Sequence, residues 1–211
     1  MEQVNRKFDL EGVEYGEMLS ASSSSKRAIA RHPGVQPRSG NKMRIWAVVF
    51  LIALLLLCSA IAAGLRINGT PSFPLGFYFA IRKRPEKGDL VFVAPPPLPL
   101  FTLAKERGYF NVAYSPTTHL VKRLAAVAGD RVTIDPDGVE VNGIRLANSA
   151  PCNHDGAGRP LRPYVLKDHI LVPDEVLLMS DYNPASFDSR YFGPLQATTI
   201  ESVIKPLLTW N

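Results

Sequence analysis

From Ile45 to Leu65 the chain reads IWAVVFLIALLLLCSAIAAGL, with no charged position and no polar face. At about 1.5 Å per residue, such a run is long enough as a helix to cross a hydrocarbon core of about 30 Å. A buried globular helix rarely stays apolar all round for this length, so the pattern predicts a transmembrane helix at 45–65. A cleaved secretory signal is the rival, because SAIAA at 59–63 offers small residues, although such signals usually have a shorter apolar core. Leu57 is too large for the position before the cysteine of a lipoprotein box.

Past Leu65 the period changes. DLVFVAP (89–95) reads as a strand running into a proline loop, and PLFTLAKERGYF (99–110) as a short amphipathic helix. DRVTIDPDGVEVNGIRL (130–146) alternates apolar and polar positions around two turns, Pro136–Gly138 and Asn142–Gly143, as a meander of three short strands. HILVP (169–173) and EVLLMSD (175–181) add further strands. Sixteen of the 18 prolines follow the apolar run, too many for long helices. The fold class expected is mainly β: an antiparallel domain over 66–211 with short helical insertions, preceded by one spanning helix.

Residues 1–44 carry SASSSSKR and little hydrophobic periodicity, which suggests a flexible basic cytoplasmic tail. Met43 and Arg44 before the apolar run would also make a compact start, and the alternative is that 1–42 reflects an upstream start codon and is not translated. Arg31, Arg38, Lys42 and Arg44 flank the run on one side and Arg66 on the other, which puts the N-terminus in the cytoplasm and the outer domain beyond the membrane.

Charge then excludes a partner class. The tail holds 8 basic and 5 acidic residues, and the segment from Arg66 onward 16 and 14, so most of the net +5 lies beside the membrane. The nearly balanced outer domain has no Lys/Arg stripe with interleaved aromatics, and nucleic acid is not an expected partner. Cys58 in the apolar run and Cys152 in the outer domain predict neither a disulfide nor a zinc site. His32, His119, His154 and His169 lack metal-ligand spacing, so no metal or other cofactor is expected.

Ser72 stands in TPSFP, between Pro71 and Pro74, just past the apolar run. Proline fixes its own φ and restricts its predecessor, so the hydroxyl is presented rigidly, as suits a nucleophile; an ST-turn in a proline-rich linker is the plain alternative. Such a serine needs a base. His119, His154 and His169 are candidates, and so is a desolvated, neutral lysine. Lys122 stands in HLVKRLAAVAGD, surrounded by apolar residues. If 120–125 is a strand, Leu120, Lys122 and Leu124 share one face and Val121, Arg123 and Ala125 the other. The division expected is Lys122 toward the site and Arg123 toward solvent or a carboxylate; an ordinary Lys-Arg pair would snorkel to the surface.

GTPSFPLGFY (69–78), KGDLVFVAPP (87–96), LVKRLAAVAGDRVTI (120–134) and LMSDYNPASFDSRYFGP (178–194) resemble, in order, the boxes of bacterial type I signal peptidases. SFPLGFY fits the S-x-P-x-G-x-Y pattern of the TraF-like conjugative-transfer branch, and NHDGAGRPL (153–161) also looks like that branch. The resemblance implies Ser72 as nucleophile and Lys122 as general base. It implies Thr70 and the Ser72 N–H as oxyanion donors, Ser186 as the residue that orients the lysine amine, and Asp188 with Arg190 as a salt bridge beside the site. Two departures stand out: SDY (180–182) replaces the usual GDN, and Phe73 replaces a common Met, with an expected effect on packing against the membrane surface.

The activity implied is that of a membrane-anchored serine endopeptidase of the bacterial inner membrane with its catalytic domain in the periplasm. Its expected partners are the lipid bilayer, other conjugation or secretion components, and a pilin or other signal-bearing precursor, which it cleaves and in the pilin case could cyclise. Part of the apolar segment at 95–110 is expected to touch lipid. A general signal peptidase is the alternative within the class, and a non-catalytic tethered component of a secretion channel the alternative outside it.

Overall fold

A computed structural model describes residues 40–110 and 119–210; residues 1–39, most of the expected tail, lie outside them. Helix α1 spans Gly40–Ala63, five residues earlier and two shorter at its end than the apolar run suggests. Lys42 and Arg44 are good helix formers, so charge did not mark the start. Gly64 ends the helix with φ +121°, and the Arg66 guanidinium donates to the Ile61 and Leu65 carbonyls near that end. Among the described residues, α1 is the one helix long and apolar enough to cross a membrane.

Strand β1 (Leu65–Asn68) follows at once and pairs antiparallel with β2 (Leu75–Ile81), with Leu65 opposite Phe79. Then come β3 (Leu90–Val93), α2 (Pro99–Glu106) and β4 (Leu120–Ala126). Helix α2 is shorter than expected because Gly108, at φ +78°, turns the chain after it. Phe101 and Ala104 face inward, whereas Leu98 and Leu103 stay exposed.

The meander forms as β5 (Arg131–Asp135), β6 (Gly138–Val141) and β7 (Ile144–Arg145), with β8 (Leu166–Ile170) on the other side of β5. Strand β9 (Glu175–Met179), the one-turn helix α3 (Ser189–Phe192), β10 (Leu195–Gln196) and β11 (Ile200–Trp210) complete the chain. All pairings are antiparallel, in a seven-stranded sheet ordered β1-β2-β11-β3-β4-β9-β10 and a four-stranded sheet ordered β7-β6-β5-β8.

The large sheet places the candidate residues. Strand β4 lies between β3 and β9, with Val91 opposite Lys122 and Met179 opposite Arg123. Continuing that register by one step brings Ser180, the residue after β9, across from Lys122. On one side of this region, Val91, Leu124, Leu178, Phe101 and Phe187 belong to the main core; on the other, Phe73, Tyr78, Phe92, Val121 and Ile204 form a smaller one beneath the Ser72 segment. Phe73 is thus 3% exposed and does not pack outward as its place near the membrane suggested.

Candidate active site

Pro71 and Pro74 have no N–H to give to a sheet ladder, so the segment between β1 and β2 is held by side chains instead. Asn68, buried at the end of β1, donates through Nδ2 to the carbonyls of Phe73 (3.0 Å) and Pro74 (3.1 Å). Its Oδ1 accepts from the Thr70 N–H (3.1 Å) and hydroxyl (3.0 Å). The Tyr78 hydroxyl, on β2, donates to the Pro74 carbonyl at 2.7 Å. Gly76 lies against β11, where a Cβ would fall 2.2 Å from the Leu208 carbonyl oxygen. Pro74, Gly76 and Tyr78 of the S-x-P-x-G-x-Y pattern thereby shape the segment that presents Ser72.

Lys122 Nζ lies 2.9 Å from Ser72 Oγ and 2.7 Å from Ser186 Oγ, and the two hydroxyls are 3.1 Å apart. Lys122 is fully buried, and burial pulls its pKa down from 10.5 to about 8; Asp188 opposes this and Arg190 assists it. Arg123, on the opposite strand face, pairs with Asp181 at 2.7 Å and lies over the Phe73 ring.

Asp188 and Arg190 are both fully buried, not a surface pair. Arg190 donates through Nε to Asp188 Oδ1 (2.8 Å) and through Nη2 to Oδ2 (2.9 Å), and its remaining donors reach the Pro184, Ala150 and Ser180 carbonyls. Two charges in such a site are tolerable because every hydrogen-bonding direction is used.

Thr70, Ser72 and Ser186 open onto a cavity of about 250 Å³ walled by Tyr109, Phe187, Tyr191, Leu161 and part of the 152–156 loop. The Asp155 carboxylate in that loop accepts from the Tyr109 hydroxyl and from Arg159, both at 2.7 Å, which hold it well below the usual carboxylate range. Its charge is already matched, and the cavity walls are mostly apolar.

The arrangement can move one proton. A neutral amine at Nζ presents a lone pair to the Ser72 O–H while an N–H donates to Ser186. Two of the three candidate histidines lie against other groups: His119 stacks on Phe92 and lies 2.7 Å from Glu201, and His169 lies 2.8 Å from Glu175. His154 lines the cavity, but the basic group in contact with Ser72 is Lys122. Among the described residues, no group of three or more His, Cys, Asp or Glu could hold a metal ion.

The family model for signal peptidase, peptidase S26, matches residues 41–208. The chain belongs to the signal peptidase S26 family. Membership indicates a serine peptidase. This S26 chain is 45% identical over 160 residues to a plasmid transfer protein TraF of Escherichia coli, covering 75% of this chain and 90% of that one. It is 38% identical over 168 residues to a probable conjugal transfer protein TraF of Sinorhizobium fredii, covering 78% and 87%. Among solved structures, a signal peptidase I of Enterococcus faecalis aligns with a TM-score of 0.34 and 20% identity, over 58% of this chain and 98% of that one.

The geometry of this S26 site also uses residues that the motifs did not single out for a role. Asn68, at the end of β1, and Asn183, in the loop after β9, carried no signal, being ordinary polar residues. Ser180 was visible as a departure from the GDN pattern; its buried hydroxyl donates to the carbonyl of Ser72.

Proposed function

We propose that this chain is a membrane-anchored serine endopeptidase in which Ser72 is the nucleophile and Lys122 the general base. The observation that carries this reading is the contact of a fully buried lysine amine, with a pKa of about 8, with the Ser72 hydroxyl.

Neutral Lys122 takes the Ser72 proton as Oγ attacks the scissile carbonyl, and Ser186 keeps the amine aimed without adding a charge. The tetrahedral oxyanion is received by the Ser72 N–H and the Thr70 hydroxyl. In the resting structure that hydroxyl points its proton at Asn68 Oδ1, so it must rotate, and Asn68 keeps the Thr70 N–H in return. Lys122 then gives its proton to the departing amine, leaving an acyl-enzyme on Ser72. Asp188 and Arg190 support the loop that carries Ser186.

The substrate proposed is a conjugative pilin precursor, on the strength of the TraF relatives and the S-x-P-x-G-x-Y segment. With α1 spanning the inner membrane and the N-terminus in the cytoplasm, the site faces the periplasm beside the bilayer, and a precursor in the same membrane meets it at raised effective concentration. Water resolves the acyl-enzyme to a linear product; the substrate's own amino terminus would resolve it to a ring.

Intact-mass spectrometry of a candidate pilin precursor co-expressed with wild type, Ser72→Ala and Lys122→Ala tests the reading. Loss of processing in both variants is expected, and a product one water lighter than the linear form marks ring closure. Processing that survives in either variant removes that residue from catalysis. Restoration of a strain depleted of its own signal peptidase would instead favour a general signal peptidase.

A further inference from the structure

We propose that Ser180 and Asn183 are positioning residues that aim, respectively, the hydroxyl and the oxyanion-binding N–H of Ser72; this rests on the reading of Ser72 as nucleophile. The carbonyls of residues 71 to 74 all accept side-chain hydrogen bonds, and these come from two directions. Asn68 and Tyr78, near the β1–β2 hairpin, hold the carbonyls of Phe73 and Pro74. Ser180 and Asn183, more than 100 residues away in sequence, hold those of Ser72 and Pro71.

Those last two carbonyls belong to the peptide groups on either side of the Ser72 Cα. The Pro71 carbonyl shares its amide with the Ser72 N–H, so the 3.0 Å bond from Asn183 Nδ2 fixes the plane in which that N–H points. A hydrogen bond accepted at the carbonyl end also polarises the amide and strengthens its N–H as a donor. The Ser180 hydroxyl donates at 2.6 Å to the Ser72 carbonyl and fixes the following plane. With both planes held, the Cα–Cβ bond has one direction, and Oγ stays within reach of Lys122.

The two residues act as a unit with a rigid base. Ser180 is 1% exposed, and its hydroxyl also accepts from the Asn183 N–H at 3.1 Å. Its own N–H donates to Asp188 Oδ2 at 3.0 Å and its carbonyl accepts from Arg190 at 3.3 Å. The buried ion pair thus holds the loop, and the loop holds the nucleophile. A glycine at 180 would keep the backbone bonds to Asp188 and Arg190 but could not donate to Ser72.

The test uses full-length protein in detergent micelles and the pilin precursor that wild type processes. Kinetics and thermal melting are compared for wild type, Ser180→Ala, Asn183→Ala and Ser72→Ala. Expected is a fall in kcat of about tenfold or more for Ser180→Ala and for Asn183→Ala, since small misplacements of reacting groups cost rates of this order. KM should stay within about twofold, Tm should fall by no more than the roughly 2–8 °C that lost hydrogen bonding gives in a chain of this size, and the acid limb of the pH profile should stay in place, because Lys122 remains buried. Unchanged kcat in both variants overturns the proposal. So does a fall that comes with a larger loss of Tm or a rise in KM, because that is loop collapse rather than aim. Processing retained by Ser72→Ala would instead overturn the underlying reading of the nucleophile.

Discussion

A lysine that serves as a base must be kept neutral, and an anion at its side would defeat that. Lys122 has Asp188 nearby, but the carboxylate is spent on Arg190, and desolvation dominates. With a pKa of about 8, kcat/KM should rise about tenfold between pH 6 and pH 7 and level off above about 8. A profile flat over that range would remove neutral lysine as the base. The same depression costs stability. Because the folded pKa lies below the unfolded one, the unfolded chain binds the proton first as pH falls, so stability is lost from about pH 10.5 down to about 8. The difference corresponds to about 3 kcal/mol, of which two amine–hydroxyl hydrogen bonds return about 1–2 kcal/mol. Lys122→Met should therefore melt a few degrees higher than wild type at pH 7 and lose the part of the pH dependence that Lys122 contributes, as calorimetry of both proteins across pH 7–10.5 would show; a lower melting point at pH 7 contradicts this account. At this scale the sequence was legible where periodicity spoke: alternation along 120–125 separated Lys122 from Arg123. Asn68 and Asn183 were not legible, because their targets are main-chain carbonyls that no side-chain pattern reveals.

Strands were legible where their alternation was regular, as in the meander that became β5, β6 and β7. Strand β11, ESVIKPLLTW after Ile200, was not, and Pro206 in its middle is the reason. The strand pairs with β3 through Ile200–Val203 and with β2 through Val203–Trp210, so by Pro206 its β3 side is unpaired and a missing N–H costs no ladder bond. Strand β2 was hidden for a different reason: LGFYFAI is apolar on both faces and shows no alternation. Gly76 joins these two elements to the site. Its φ of +147°, and the 2.2 Å that would separate a Cβ here from the Leu208 carbonyl oxygen, leave no room for a side chain. Gly76→Ala should push β11 off β2 and destabilise by at least about 2 kcal/mol. Since Tyr78 and Pro74 share that strand entry, activity should fall further than stability alone explains. Denaturant unfolding and processing assays on one preparation check this, and an unfolding midpoint equal to wild type would refute it.

At the scale of the molecule, the question is how far from the bilayer the chemistry takes place. Strand β1 starts two residues after α1 ends and has four residues, about 14 Å of chain, before the turn that carries Ser72. Strand β2 then runs back alongside it, so Ser72 sits at the tip of a short hairpin, not at the end of a free linker. The proposed orientation can be read with the protein's own two cysteines. Cys152 is exposed and lines the cavity onto which Ser72 opens, whereas Cys58 lies within α1 and would be shielded by lipid. A membrane-impermeant maleimide added to intact spheroplasts should therefore label wild type and Cys58→Ala but not Cys152→Ala. Labelling that requires lysis would reverse the topology. The adduct should also halt precursor processing, because it would fill much of a cavity of about 250 Å³, and Cys152→Ala should go on processing in the presence of the reagent. Labelled protein that still processes at the wild-type rate would show that the precursor reaches Ser72 without entering this cavity, and would move the substrate path to another face of the hairpin.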